Sequence, residues 1–169
     1  MPLRWNSTYL MLKAVIRDRV SFNGFINTNY GVDPLITNET WHVITTLTAF
    51  LELFYDATIT LSGVYYPTSP LMVHTILDIV SHLKSYEGDG LLHNVVADMK
   101  TKYLKYWEHI PLLHAFAFIL DPRAKLEEYR SAHNVLSASL SLDYTNNFNM
   151  ARDKLYEVYG KYELKYSRV

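Results

Sequence analysis

WHVITTLTAFLELFYDATITL, residues 41–61, decides the fold. Its positions Trp41, Ile44, Leu47, Leu51, Phe54, Thr58 and Leu61 recur at steps of three and four, the spacing of one helix face rather than the alternation of a strand. Thr37 ahead of the pattern is a start signal and Ser62-Gly63 behind it a stop. The β-branched threonines at 40, 45, 46, 48, 58 and 60 lower the intrinsic helix propensity, so burial of the apolar face has to supply the stability.

The same periodicity extends in both directions. Upstream, Leu12, Val15, Ile16 and Val20 mark a helix that Ser7 or Thr8 can cap and that ends near Asn23-Gly24, followed by a loop over 24–36 with Gly31 and Pro34. Downstream, Ser69-Pro70 opens a helix of roughly 70–86 whose inward stripe is Leu71, His74, Leu77 and Val80 with Leu83 or Lys84. After the Gly88-Asp89-Gly90 turn, Leu92, Val95, Val96, Met99, Tyr103, Tyr106 and Trp107 repeat the spacing up to Pro111, so these two helices form an antiparallel hairpin. LLHAFAFIL, residues 112–120, is apolar all round; Pro111 before it and Ala115 and Ala117 within it favour helix over strand. Asp121-Pro122 ends that segment and caps a short helix to about His133. The polar, Asn-rich 137–149 reads as loop, and a Tyr-rich helix fills about 150–165. The expectation is an all-α bundle of six to seven helices. Residues 1–135 form the helical domain, and 136–169 a polar linker with the final helix.

Composition narrows the function. The chain of 169 residues is 49% hydrophobic and 20% charged, enough to bury a core. Without cysteine it has no disulfide and no thiolate metal site, and an intracellular location fits best. Neither a signal core nor an uninterrupted apolar run of membrane-spanning length is seen, so no membrane partner is expected. Net charge is only −1, but residues 1–30 carry +3, residues 31–98 carry −7 and residues 99–169 carry +3. That asymmetry presents a cationic face if the basic ends cluster, and scattered surface charge if they do not.

No residue set makes a recognisable active site. His42, His74, His82, His93, His109, His114 and His133 never fall at metal-ligand spacing with acidic support. Neither GxGxxG nor GxxxxGK[ST] occurs. Adjacent Glu127 and Glu128 point to different helix faces. No cofactor, metal or small-molecule substrate is expected.

Two segments do carry nucleic-acid chemistry. In Arg4-Trp5-Asn6-Ser7-Thr8-Tyr9 one reading is structural, with Ser7 or Thr8 capping, Trp5 stapling and Arg4 meeting a carboxylate. The other gives Arg4 to phosphate, Trp5 to an unstacked base, and Asn6, Ser7 and helix N-terminal N–H groups to phosphate oxygens. Lys100, Lys102 and Lys105 interleave with Tyr103, Tyr106 and Trp107, the content of a nucleic-acid surface, although helical spacing also allows solvated lysines over an aromatic core.

These motifs, with Tyr66-Pro67-Thr68 and Leu120-Asp121-Pro122-Arg123-Ala124-Lys125, stand in an order that resembles the plant hAT-type DNA transposases of the Activator-like group. Met99 to Trp107 is similar to that family's Met-x-x-Lys-[Tyr/Phe]-x-Lys-Tyr-Trp signature, and Leu3 replaces its usual threonine before Arg4-Trp5. The resemblance spans about 4–126 and implies the helical region inserted in an RNase H-like core, with a tryptophan handling transposon-end DNA and a nuclear location. It also implies that the family's catalytic aspartates lie upstream of Arg4 and its glutamate in a downstream Ser-Glu-Arg element. The chain by itself is therefore expected to be no enzyme, and Asp121 and Glu127 do not fill those places. The expected function is weak DNA binding through Arg4, Trp5, Asn6, Ser7, Lys100, Lys102 and Lys105. The alternative is a protein-interaction or scaffold module from a domesticated transposon, acting through the C-terminal helix.

Overall fold

In the computed structural model, residues 5–30 and 37–167 are described. Among them stand eight α-helices and no strand: α1 Trp5–Arg17, α2 Arg19–Tyr30, α3 Asn38–Leu61, α4 Leu71–Ser85, α5 His93–Trp107, α6 Leu112–Ile119, α7 Lys125–Leu140 and α8 Thr145–Tyr166. The all-α expectation holds, with one or two helices more than the pattern gave. The chain forms two compact units, Met1–Ile59 and Thr60–Val169. Position 135 lies inside α7.

In the first unit, α1 begins at Trp5, so Ser7 and Thr8 lie within the helix and not at its cap. The chain turns at Asp18, whose carboxylate is gripped by Arg17, and then continues as α2 straight through Asn23-Gly24. The expected loop is therefore helix over 24–30, while Gly31 to Ile36 lie outside the described residues. Polar side chains along that helix bond carbonyls one turn back, which satisfies them without leaving the helix: Thr28 Oγ1 donates to Gly24 O and Asn29 Nδ2 to Phe25 O, both at 2.8 Å.

α3 starts as its sequence indicates. Thr37 Oγ1 accepts the N–H of Thr40 at 3.2 Å, a side-chain N-cap. Its threonines are accommodated in the same way as Thr28, since Thr45, Thr48 and Thr58 donate to the carbonyls of Trp41, Ile44 and Phe54. Trp41 is buried against Phe22, with the Arg19 guanidinium 4.5 Å from its ring centroid. Tyr9 is buried, lies 4.7 Å from Tyr55 and donates to Glu52 Oε1, which also receives Lys13. The hydroxyl bond of Tyr9 and then Lys13 hold the Glu52 carboxyl below its ordinary value. α3, interrupted by His42, Glu52 and Asp56, is long and apolar enough by length and composition to cross a membrane; its Glu52 is the partner of α1 just described.

The stop at Ser62-Gly63 has a steric cause. The Tyr66 hydroxyl donates to Thr60 O at 3.1 Å, which lays its ring over Gly63, where a Cβ would fall 2.5 Å from the ring. A side chain at this position would require the half-exposed Tyr66 ring to move aside.

In the second unit the core lies among α4 to α8. Of the expected stripe, Val80 and Leu83 are buried in the second half of α4; in its first half the buried residues are Val73, Thr75 and Ile76, while Leu71 and Leu77 are half-buried and His74 is exposed. Apolar residues run almost round this helix, so the exposed polar set His74, Asp78 and Ser81 fixes the outward side. Ser69 is not the expected cap either; its Oγ lies 2.9 Å from His114 Nδ1 on α6. Tyr103 on α5 is buried and donates to Ile76 O at 2.9 Å, which ties the hairpin. Residues 112–119 are helical and bury Ala115, Phe118 and Ile119.

α7 extends a full seven residues beyond His133, and the expected loop of 137–149 shrinks to 141–144. Asparagine there is a tertiary residue: Asn147, buried, donates to Glu108 O at 2.6 Å and accepts from His109 Nδ1 at 2.8 Å. Tyr144 is likewise buried, its hydroxyl donating to Trp107 O. α8 buries only its first turns, through Asn147, Phe148 and Ala151, while Tyr156, Tyr159, Tyr162 and Tyr166 beyond them are exposed.

Candidate nucleic-acid interface

The predicted DNA-contacting residues fall in both compact units. In the first, Arg4 lies outside the described residues, as does the side chain of Trp5. Asn6 is half-buried with its Oδ1 closed off and unpartnered, and Ser7 is exposed. Ser7 therefore cannot serve as the cap, and its hydroxyl faces solvent on the first turn of α1.

In the second unit α5 separates its three lysines. Lys100 is half-buried and paired with Glu87, which holds that carboxyl below its ordinary value; this lysine is already neutralised. Lys102 and Lys105 are exposed and in no ion pair among the described residues. They stand three apart, on adjoining positions of the helix surface. Tyr106, one turn beyond Lys102, is 71% exposed, whereas Tyr103 is buried and Trp107 half-buried. The aromatic run is thus divided. Tyr103 belongs to the core, where burial pushes its hydroxyl far above the usual phenol value, while Tyr106 stands in water beside two free cations.

The Leu120–Lys125 motif is a built turn and not a site for a free ligand. Arg123 Nε and Nη2 grip both oxygens of Asp121 at 3.0 and 2.7 Å, and the Arg123 N–H adds a third bond at 2.9 Å. These bonds depress the Asp121 carboxyl to about 2. Lys125 opens α7 at φ 61°, a left-handed conformation unusual for a side chain of its size, so the turn redirects the chain within a few residues. Among the described residues no three His, Asp or Glu side chains approach closely enough to hold a metal ion.

One basic cluster escaped the sequence reading. Arg130 and Arg152 both stack on Phe148 in the cleft between α7 and α8. The two arginines are far apart in sequence, and only the packing of Phe148 between the helices brings them together. Nothing in the sequence around either arginine marks the two as a pair.

The family described as hAT-like transposase, RNase-H fold, matches residues 70–162, which cover α5, the Asp121 turn and most of α8. This chain belongs to the hAT-like transposase family. It is similar to the zinc finger BED domain-containing protein RICESLEEPER 1 of Oryza sativa subsp. japonica, 25% identical over 161 residues, which is 94% of this chain and 22% of that one. DAYSLEEPER of Arabidopsis thaliana is 25% identical over 163 residues, 94% of this chain and 23% of that one. A Zea mays protein whose name marks it as an AC transposase is 32% identical over 169 residues, 93% of this chain and 20% of that one. The chain thus spans about a fifth of the length of these relatives. No solved structure matches it. In this chain the described residues of the matched stretch form helices α4 to α8 and no strand.

Proposed function

We propose that this chain is a DNA-contacting helical segment of a hAT-like transposase, working in the nucleus and not catalytic by itself. The observation that carries the reading is the exposed trio Lys102, Lys105 and Tyr106: two unneutralised cations beside an aromatic ring in water. Backbone phosphates take the lysines as point charges, and an unpaired base takes the ring face. The exposed Ser7 and the half-buried Asn6 at the start of α1 support a further contact with Arg4 and Trp5. The non-catalytic part rests on the family resemblance, which places the acidic residues of the reaction outside the span from Arg4 to Lys125.

Fluorescence anisotropy on labelled duplex and single-stranded DNA across a salt series tests the reading. Binding that is sequence-independent, with a dissociation constant on the order of 10⁻⁴–10⁻⁶ M at physiological salt, agrees with it. No binding even at low salt contradicts it.

A second reading is favoured by a different observation. Tyr156, Tyr159, Tyr162 and Tyr166 are all more than half exposed on the distal part of α8, a surface suited to a protein partner. If DNA binding fails, that face is the one to test by cross-linking.

A further inference from the structure

The cleft between α7 and α8 encloses a cavity of about 290 Å³. Arg130 and Arg152 come from different helices and converge on one ring, their guanidinium carbons 5.1 and 5.9 Å from the Phe148 centroid. A guanidinium lying on a ring keeps its N–H edge free, and that edge matches phosphate oxygens two at a time. Arg152 already gives Nε and Nη2 to Asp153 Oδ1 at 2.9 and 2.8 Å, which leaves its Nη1 edge for a ligand, whereas Arg130 is in no ion pair among the described residues, so the cleft holds one positive charge in excess. Asn134 and Asn149 supply amide groups on its walls. His133 lines it too; the ring donates from Nδ1 to Tyr129 O, which leaves Nε2 as a buried acceptor without a partner.

We infer that the α7–α8 cleft seats a phosphate of a DNA strand, gripped by Arg130 and Arg152. This rests on the DNA-binding reading and adds a contact that the lysines of α5 do not provide. The ligand chemistry is a phosphate oxyanion, and its source is the polymer backbone and not free inorganic phosphate.

The test uses the whole chain and a fluorescein-labelled DNA duplex in a salt series, with the double variants R130A/R152A and R130K/R152K, all shown folded by circular dichroism. The alanine pair should lower the salt slope by about 1 to 2, and the lysine pair, which keeps the charge, should restore most of it. In parallel, the arginine Nε resonances of the parent should shift on titration with DNA but not with inorganic phosphate at the same phosphate concentration. An unchanged slope in R130A/R152A, with the parent still binding, overturns this inference and leaves the lysine reading standing. Equal shifts with inorganic phosphate overturn the assignment to the polymer. A parent chain that binds no DNA overturns both.

Discussion

The two compact units use the same helical periodicity and bury it differently. In the second unit, side chains from α4 to α8 close over one another: Ile76, Val80, Phe118, Tyr129, Leu136 and Phe148 are all buried. In the first, the long stripe of α3 buries only Trp41, with Phe50 buried beside it, while Ile44, Leu47, Leu51 and Phe54 remain half-buried. Periodicity tells which residues share a face, and the number of neighbouring helices decides how far that face leaves water. A stripe is a statement about direction, not about depth.

The contrast makes the largest expected effect a core truncation in the second unit. Phe118, in ring contact with His74 and Tyr129, should cost about 3–5 kcal/mol as Phe118→Ala in denaturant unfolding. A loss below about 1 kcal/mol would break the comparison at its stronger side.

The second unit also buries a titratable ring. Burial holds the His133 imidazole below its ordinary 6.5, so below that pH the unfolded chain takes a proton that the folded ring refuses. Stability should therefore be fully present above pH 6.5 and should fall as the pH drops from there through the lower folded value. The slope for one proton is at most about 1.4 kcal/mol per pH unit. His133→Phe should flatten that part of the pH profile, and an unchanged profile would show that the ring is not the group responsible.

In the first unit the corresponding truncation should be mild. Leu51 lies on the α3 stripe but is only half-buried, so Leu51→Ala should cost about 1 kcal/mol in the same melts. A loss as large as that of Phe118→Ala would mean that the α3 face is covered in solution and would remove the difference between the units.

How much of this was legible in the sequence depended on the kind of signal. The Thr37 cap and the helix over 112–119 were readable because each rests on local chemistry within a few residues. The length of α7 and the start of α8 were not, because Asn147 and Tyr144 look like loop residues until Glu108, His109 and Trp107 arrive as their partners. The phase of the first half of α4 was missed for another reason: a helix apolar on most sides carries little angular information in its apolar residues. Of the candidate site, the lysines and aromatics of α5 could be named from the sequence, but not that Lys100 is neutralised by Glu87, that Tyr103 is core, or that Tyr106 is exposed. The Arg130–Arg152 pair was invisible, since only tertiary packing on Phe148 unites it.

The smallest expected effect concerns the turn before α7. With Arg123 gripping it, the Asp121 carboxylate titrates at about 2 against its ordinary 3.8. Its contribution is present above pH 3.8 and is lost as the pH falls towards 2. Arg123→Ala should return the carboxyl upward in an NMR titration, with little change in the fold at neutral pH. A carboxyl that stays near 2 in the variant would assign the depression to something other than Arg123.

The central claim is that α5 meets DNA through Lys102 and Lys105, and its most direct test is the salt dependence of binding in the K102A/K105A double variant. If each lysine neutralises one phosphate, the slope of log affinity against log salt should fall by about 2 relative to the parent, with helical content by circular dichroism unchanged. A folded double variant that binds with the parent's affinity and slope would contradict the claim.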